Sequence, residues 1–309
     1  MLNILLSFIL FSACSQNTNQ PESNQNVENN TGTSENKQEV VQNKDNSKAP
    51  EQEAAISTEK IITLGGNITE TVYALGEGAK LVGVDVSSLY PAEVEALPKV
   101  GYYRQISAEG IISLGPTVII GSDAVGPADA LEKIKKVGIP VQVLSSKKTL
   151  AGAQERITGI AKLLNKETEG KKLIDNMNAE LAKVNKPNTK PKVLFIYARG
   201  AGSVNVAGTA TSAEEMITLA GGINAVSEYE GYKPINSEAI IAAAPDVILM
   251  TARGLESIGG IDAVAKLQGI SLTPAGKEKK IIAMDDLLLL GFGPRTGQAV
   301  QELATKISK

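Results

Sequence analysis

The chain has 309 residues, 42% of them hydrophobic, and its 31 Lys and Arg against 34 Asp and Glu leave a formal net charge of -3. That balance excludes the basic footprint of a nucleic-acid binder, and the length supplies one or two cores. A single cysteine and no histidine exclude an intrachain disulfide, two-cysteine redox or zinc motifs, and ordinary zinc, manganese or copper sites.

The apolar run over 2–13 is shorter than the roughly 20 residues that span a bilayer but has the length of a signal-peptide core. It ends in Phe11-Ser12-Ala13-Cys14, which resembles a bacterial lipobox with phenylalanine where leucine is usual and no Lys or Arg ahead of it. The resemblance implies a lipoprotein signal over 1–14, cleaved before Cys14, with that cysteine lipidated. Residues 15–56 are dominated by Asn, Gln, Ser, Glu and Lys. They cannot bury enough apolar surface to offset their ordering entropy and are expected to form a disordered tether.

Folding is expected to begin with Ile-Ile-Thr-Leu at 61–64 as a strand, a Gly65-Gly66-Asn67 turn, a helix through 71–75 and a second strand at 80–84. Ser107 is placed to cap a short helix that ends at Pro116, ahead of an apolar strand at Val118. A helix over 128–137 stops at Gly138-Ile-Pro140, before a strand near Val141. This alternation favours a parallel sheet.

Over 149–184 only helical periodicity is present, broken near Asn165. The second piece, 166–187, is about 20 residues and reaches roughly 30 Å. It is expected to join an N-terminal lobe, 57–165, to a C-terminal lobe, 188–309. The latter opens with Val-Leu-Phe-Ile-Tyr at 193–197 and continues with a helix over 213–219, strands at 247–250 and 281–284, and a last helix from Thr296.

One pattern occurs in both halves: Glu109-Gly-Ile-Ile-Ser-Leu-Gly-Pro116 and Glu238-Ala-Ile-Ile-Ala-Ala-Ala-Pro245, each glutamate two residues after a capping Ser107 or Asn236. The expected fold is therefore α/β, two similar lobes, each with a mostly parallel sheet flanked by helices, joined by one long helix. A ligand belongs between the lobes, at the carboxyl ends of the strands.

Enzyme chemistry finds little support. No histidine can act as base and no G-x-S-x-G elbow is present. Gly65-Gly66 and Gly200-Ala-Gly202 complete neither a Walker nor a dinucleotide pattern. Adjacent acids such as Asp285-Asp286 keep an extracytoplasmic enzyme as an alternative of another class.

Five stretches resemble the haem-binding lipoproteins of bacterial ABC importers, within the wider cobalamin and siderophore binding family: Leu64-Gly-Gly-Asn-Ile-Thr-Glu70, Gly101-Tyr-Tyr-Arg-Gln105, Ser107-Ala-Glu109, Gly231-Tyr-Lys-Pro234 and Gly291-Phe-Gly-Pro-Arg295. The match runs from about residue 60 to the end. It implies ferric haem as the transported ligand, no catalytic cofactor, delivery to an ABC permease and its ATPase, and a lipid anchor on the extracytoplasmic face of the cell membrane. A monomer is expected. An iron-siderophore or cobalamin protein is the alternative, although the clustered tryptophans expected around an iron chelate have no counterpart in a chain without tryptophan.

By the same resemblance Tyr102 is the axial haem ligand. A phenol with a pKa of about 10 ligates as the anion only when a metal or cation favours it. Arg104, two residues on, is expected to hydrogen-bond the phenolate. Tyr103 is the rival ligand or a pocket wall. Tyr197-Ala-Arg199 repeats the Y-x-R spacing and offers a sixth ligand, with Tyr232 and Met284 as further options or core. Arg253 and Arg295 could join Arg104 and Arg199 at the cleft. Glu109 and Glu238 match the pair of glutamates, one per lobe, that meets permease arginines in this family; the competing reading is a first-turn acid complementing a helix dipole.

Overall fold

The computed structural model describes residues 56–200, 202–234 and 236–309. The expected signal, Cys14 and all but the last residue of the expected tether lie outside the described residues. The N-terminal lobe carries β1 (Ile61–Leu64), β2 (Leu81–Val84), β3 (Gly101–Tyr102), β4 (Gln105–Ile106), β5 (Val118–Ser122) and β6 (Val141–Leu144). Four of them form a parallel sheet in the order β2-β1-β5-β6, and β3 and β4 form a separate antiparallel hairpin.

Helices α1 (Gly66–Ala74), α2 (Ala108–Ser113), α3 (Ala128–Lys136) and α4 (Leu150–Leu163) cover both faces of that sheet. Side chains alternate along a strand, so Ile61, Val118 and Ile120 pack with Ile68, Val72 and Ile160, while Ile62, Leu64 and Ile119 pack with Ile111 and Ile134. Two covered faces explain why β1 and β5 are apolar runs rather than alternating sequences.

The C-terminal lobe carries β7 (Lys192–Ala198), β8 (Val204–Ala207), β9 (Ile223–Asn224), β10 (Tyr232–Lys233), β11 (Val247–Thr251) and β12 (Ile281–Met284). Its sheet runs β10-β8-β7-β11-β12, with β9 alongside β7. Strands β9, β7, β11 and β12 pair in parallel, as expected, but β8 and β10 add antiparallel pairings that the main sheet of the first lobe lacks. These extra strands are short, too short for a period of two to stand out from turn sequence.

Between the lobes lies α5 (Glu167–Ala182), four turns rather than the expected 166–187. Its last bonds tighten to the third residue back, Lys183 to Glu180 and Val184 to Leu181. Pro187 then offers no N–H and disfavours helix at the residue before it. The break at Asn165 is present, with φ 56°.

The remaining helices are α6 (Ser212–Leu219), α7 (Ser237–Ala243), α8 (Ala252–Ile258), α9 (Ile261–Ala265), α10 (Pro274–Lys277), α11 (Asp286–Leu290) and α12 (Thr296–Ile307). The connector is held on three sides. Glu77 joins Lys80 at 2.8 Å and Lys166 at 3.0 Å, fastening the start of α5 to the turn after α1. The Lys80 hydrogen bond, helped by Lys166, holds the Glu77 carboxyl below its ordinary value against the opposing effect of burial.

Glycines set the helix spacing on the other two sides. A Cβ on Gly170 would lie 2.5 Å from that of Ala161 in α4, and one on Gly297 of α12 would lie 2.6 Å from Cβ of Glu180 and 2.8 Å from the carbonyl oxygen of Met177. Gly297→Ala is accordingly expected to destabilise by about 1–3 kcal/mol of overpacking, more than the up to ~1 kcal/mol that alanine contributes through helix propensity. Urea denaturation checks the sign; a gain in stability would show that α12 and α5 are free to move apart.

Candidate functional site

The site begins with the β3–β4 hairpin, in which Gly101 faces Ile106 and Tyr102 faces Gln105, leaving Tyr103 and Arg104 as the two turn residues. Gly101 has φ 97°, and a Cβ there would stand 2.8 Å from the Gln105 carbonyl oxygen, so glycine is required for the hairpin to close.

Asp85, fully buried after β2, holds the hairpin in place. Its carboxylate accepts from the Tyr103 N–H at 3.3 Å, the Gly65 N–H at 3.0 Å, the Ser87 N–H at 3.1 Å, and the Ser87 and Ser88 hydroxyls at 2.7 and 2.8 Å. One charged group thus fixes the tyrosine turn to the β1–α1 turn, and charge-assisted bonds of this kind are the strong ones.

Between the lobes lies a cavity of about 840 Å³ that brings together Tyr102, Tyr103 and Arg104 from the first lobe and Tyr197, Arg199 and Tyr232 from the second. The ring of Tyr103 lies 4.5 Å from that of Tyr102, tilted by 57°. Tyr232 lies on β10, 40% exposed, with its ring 5.8 Å from Tyr197 and edge-on to Phe195 at 6.3 Å.

The two Y-x-R pairs differ. Arg199 Nε donates to Tyr197 Oη at 2.8 Å, with the guanidinium 5.6 Å from the ring centre. Arg104 instead stands 5.5 Å from the ring of Tyr103, and its expected hydrogen bond to Tyr102 is not formed among the described residues. The backbone explains the contrast. Tyr197 is the last but one residue of β7, and Arg199, just past its end, carries the alternation onto the same face, whereas a turn between Tyr102 and Arg104 breaks that period.

Burial, above all, pushes the Tyr102 phenol up to about 12; Tyr103 adds to the shift, and Arg104 and Arg199 oppose it. Tyr102 and Arg199 line the same cavity from the two lobes. Burial also raises the Tyr232 phenol.

Where the lobes meet, the cavity is lined by Lys148 and Arg156, neither of which stood out in the sequence. Arg156 is 3% exposed and donates through Nη1 to the Ser145 and Lys147 carbonyls and through Nη2 to that of Phe292. Lys148 Nζ reaches the Gly291 carbonyl at 3.3 Å. Burial first, then Arg156 and Arg104, bring the Lys148 ammonium down to about 8 against the pull of Asp85.

Arg253 also lines the cavity, but Arg295 does not. Arg295 pairs in bidentate fashion with the buried Glu70, at 2.9 Å for both bonds, and covers the ring of Tyr90 at 3.6 Å from its centre. Met284 is 2% exposed in the second core and offers no sulfur to the cleft. Among the described residues no group of three or more His, Cys, Asp and Glu could hold a bare metal ion.

Ser107 and Asn236 cap α2 and α7 as expected, accepting from Gly110 and Ala239 at 3.0 and 2.8 Å. Glu109 and Glu238 stand exposed in the first turns of those helices. Glu109 meets Lys133 at 3.3 Å, a solvated pair of little energetic weight.

Residues 61–288 match the model of the periplasmic binding protein family. The periplasmic heme-binding protein RhuT from Roseiflexus sp. RS-1, in apo form, superposes with a TM-score of 0.77 and 42% identity over 82% of this chain and 98% of that one. The uncharacterized ABC transporter substrate-binding lipoprotein YvrC of Bacillus subtilis (strain 168) is 30% identical over 268 residues, 84% of this chain and 83% of its own length. The vitamin B12-binding protein of Vibrio campbellii (strain ATCC BAA-1116) is 31% identical over 203 residues, 65% of this chain and 74% of its own.

Proposed function

We propose, since the chain belongs to the periplasmic binding protein family, that it is the extracytoplasmic haem receptor of an ABC importer and hands ferric haem to a membrane permease. The observation that carries this reading is the cavity itself. In a chain without histidine, two lobes present phenols and guanidiniums to one interlobe space of about 840 Å³. Phenolate is a known ligand type for ferric haem, and flat aromatic walls suit a macrocycle.

Tyr102 is the axial ligand from the first lobe in this reading, and Tyr197, with its phenol oxygen already hydrogen-bonded to Arg199, faces it from the second. Tyr103 and Tyr232 form walls. Lipidation at Cys14 tethers the receptor to the membrane, and Glu109 and Glu238 dock one lobe each on two like permease subunits. No catalytic step is assigned, in keeping with relatives described as binding proteins.

The second reading is a cobalamin carrier, favoured by the Vibrio relative. Titration of the purified protein with hemin and, separately, with cyanocobalamin distinguishes the two. A saturable change in the hemin absorption spectrum is expected; saturation by cyanocobalamin alone would refute the haem reading. Glu109→Ala and Glu238→Ala together are expected to leave hemin affinity unchanged and to weaken permease binding or haem uptake. Undiminished uptake would remove the docking role.

A further inference from the structure

A second cavity, of about 390 Å³, opens where α1, α5 and the start of α12 meet. Its walls are largely apolar and aromatic, with Tyr73 and Ala74 from α1, Tyr90 from the segment after β2, and Leu173 from α5. Its polar groups are few: Asn176, Glu180 and Gln298 stand beside the Glu70–Arg295 pair. A space of this size, mostly apolar with a few convergent polar groups, is the ordinary form of a small-molecule site.

Charge sets the two cavities apart. The interlobe cleft is lined by Arg104, Lys148, Arg156, Arg199 and Arg253 against one acid, Asp286. In the second cavity the sign reverses: Glu70 and Glu180 face one guanidinium, Arg295, which Glu70 neutralises through two bonds of 2.9 Å. Glu180 is left over. It lies near the end of α5, accepts from Gln298 Nε2 at a long 3.3 Å, and takes part in no ion pair among the described residues. Gly297 lets its carboxylate lie against the first turn of α12, since a Cβ there would stand 2.6 Å from Glu180 Oε2. The helix dipole favours an anion in that place and holds it there. The negative field reaches beyond the lining, because burial first and then the Glu93 carboxylate raise the Tyr73 phenol.

We propose that this cavity is a second ligand site, which takes a small organic cation: an ammonium or amidinium group paired with Glu180, on an apolar body of about one ring packed against Tyr73 and Leu173. Aromatic faces beside a carboxylate are the two elements of organic-cation recognition. Tyr90 already carries a guanidinium, with Arg295 3.6 Å from its ring centre. The site is separate from the interlobe cleft and from whatever that cleft carries, since no residue lines both cavities. The basic groups of the cleft repel a cation, so the sign of a ligand's charge sorts it between the two. A ligand seated here touches α1 of the first lobe, the connector α5 and the entry to α12 of the second, and stabilises the folded chain by mass action.

The test titrates the purified protein by calorimetry with phenethylamine and, as its neutral counterpart of similar shape, 2-phenylethanol. In the wild type the amine is expected to bind about tenfold or more tighter than the alcohol, the ratio expected for one charge-assisted hydrogen bond. Glu180→Gln should bring the amine down to the level of the alcohol while leaving the affinity for the alcohol unchanged. Ala74→Trp, which fills the cavity from an exposed helix position, should abolish the binding of both.

Equal binding of amine and alcohol by the wild type overturns the site, as does failure of both to bind at millimolar concentration. A full preference for the amine retained in Glu180→Gln overturns it too, and so does wild-type amine affinity in Ala74→Trp, which would seat the amine elsewhere. Because the wild-type comparison needs no variant, and Glu180→Gln exchanges one oxygen for an amide nitrogen, misfolding of the bulkier variant does not shield the proposal. Hemin titration is a separate measurement, so the haem reading and this site stand or fall independently.

Discussion

Tyr102→Ala is expected to abolish or shift the visible spectrum of the hemin complex and to weaken binding by more than the roughly 10–100-fold that even the outer partners of a metal ligand are worth. The argument starts from the state of the free phenol. With its pKa pushed up to about 12, chiefly by burial, Tyr102 is protonated at neutral pH and binds iron only by giving up that proton. Ferric iron, opposite in charge to the phenolate, favours the ionised form directly, and Arg104 and Arg199 add a smaller contribution of the same sign. Alanine removes the proposed ligand atom while the hairpin keeps its own bonds, since Tyr103 N–H still reaches Asp85 and Gly101 still faces Ile106. Tyr197→Phe is the informative companion. It keeps the ring and deletes the oxygen held by Arg199 at 2.8 Å. A larger loss with Tyr197→Phe than with Tyr102→Ala would move the primary ligand to the second lobe, where the supporting arginine is already in place.

That difference between the two Y-x-R pairs shows where sequence reading reaches its limit. Spacing alone makes Tyr102/Arg104 and Tyr197/Arg199 equivalent, because residues two apart share a face only while the backbone stays extended. The strand at Lys192–Ala198 is apolar and legible, so Arg199 could have been assigned to Tyr197 with good reason. The hairpin is two residues on each side of its turn, below any periodic signal, and there the expected hydrogen bond from Arg104 to Tyr102 is not formed among the described residues.

The cores were legible for a plain reason: strands buried on both faces are continuous apolar runs, and Ile-Ile-Thr-Leu at Ile61–Leu64 is one of them. Caps at Ser107 and Asn236 were legible because their signals are local. Asp85, Lys148 and Arg156 were missed because their roles depend on segments far away in the chain. Arg156 donates to Phe292, 136 residues on, and Asp85 reaches 20 residues back to Gly65. A weak signal for Asp85 did exist, namely an acid followed by Ser87-Ser88 directly after a buried strand, where a carboxylate has local donors to satisfy it.

The two family-like stretches Leu64-Gly-Gly-Asn-Ile-Thr-Glu70 and Gly291-Phe-Gly-Pro-Arg295 prove to be partners. Asn67 donates to the Gly291 carbonyl at 2.9 Å, and Glu70 takes both bonds of Arg295. The spacing of the second stretch follows from this contact: a Cβ on Gly293 would lie 3.3 Å from the carboxyl carbon of Glu70, tight enough to disturb the approach of Arg295. What looked like a ligand-binding arginine is therefore an interlobe clasp, placed away from the cavity that holds the tyrosines.

Arg295→Met should reveal the strength of that clasp. The Glu70 side chain is 4% exposed, so deleting the guanidinium leaves a carboxylate buried and unpaired, a change that typically costs about 3–5 kcal/mol. Against a total stability of about 5–15 kcal/mol this is a large fraction, and for a folded region of this size it corresponds to a fall in Tm of roughly 6–20 °C. The double variant Glu70→Met/Arg295→Met separates two causes. If the loss comes from an isolated buried charge, removing both partners recovers much of it, because paired apolar groups of similar volume are often neutral. If instead the pair is needed to hold the lobes at their spacing, the double variant stays destabilised and hemin affinity falls with it, although neither residue lines the cleft. An unchanged Tm in the single variant would mean that α5 with its packing glycines and the interlobe hydrogen bonds to the Gly291 and Phe292 carbonyls hold the lobes without the clasp, with the Glu70 charge relieved by solvent entering beside Tyr90.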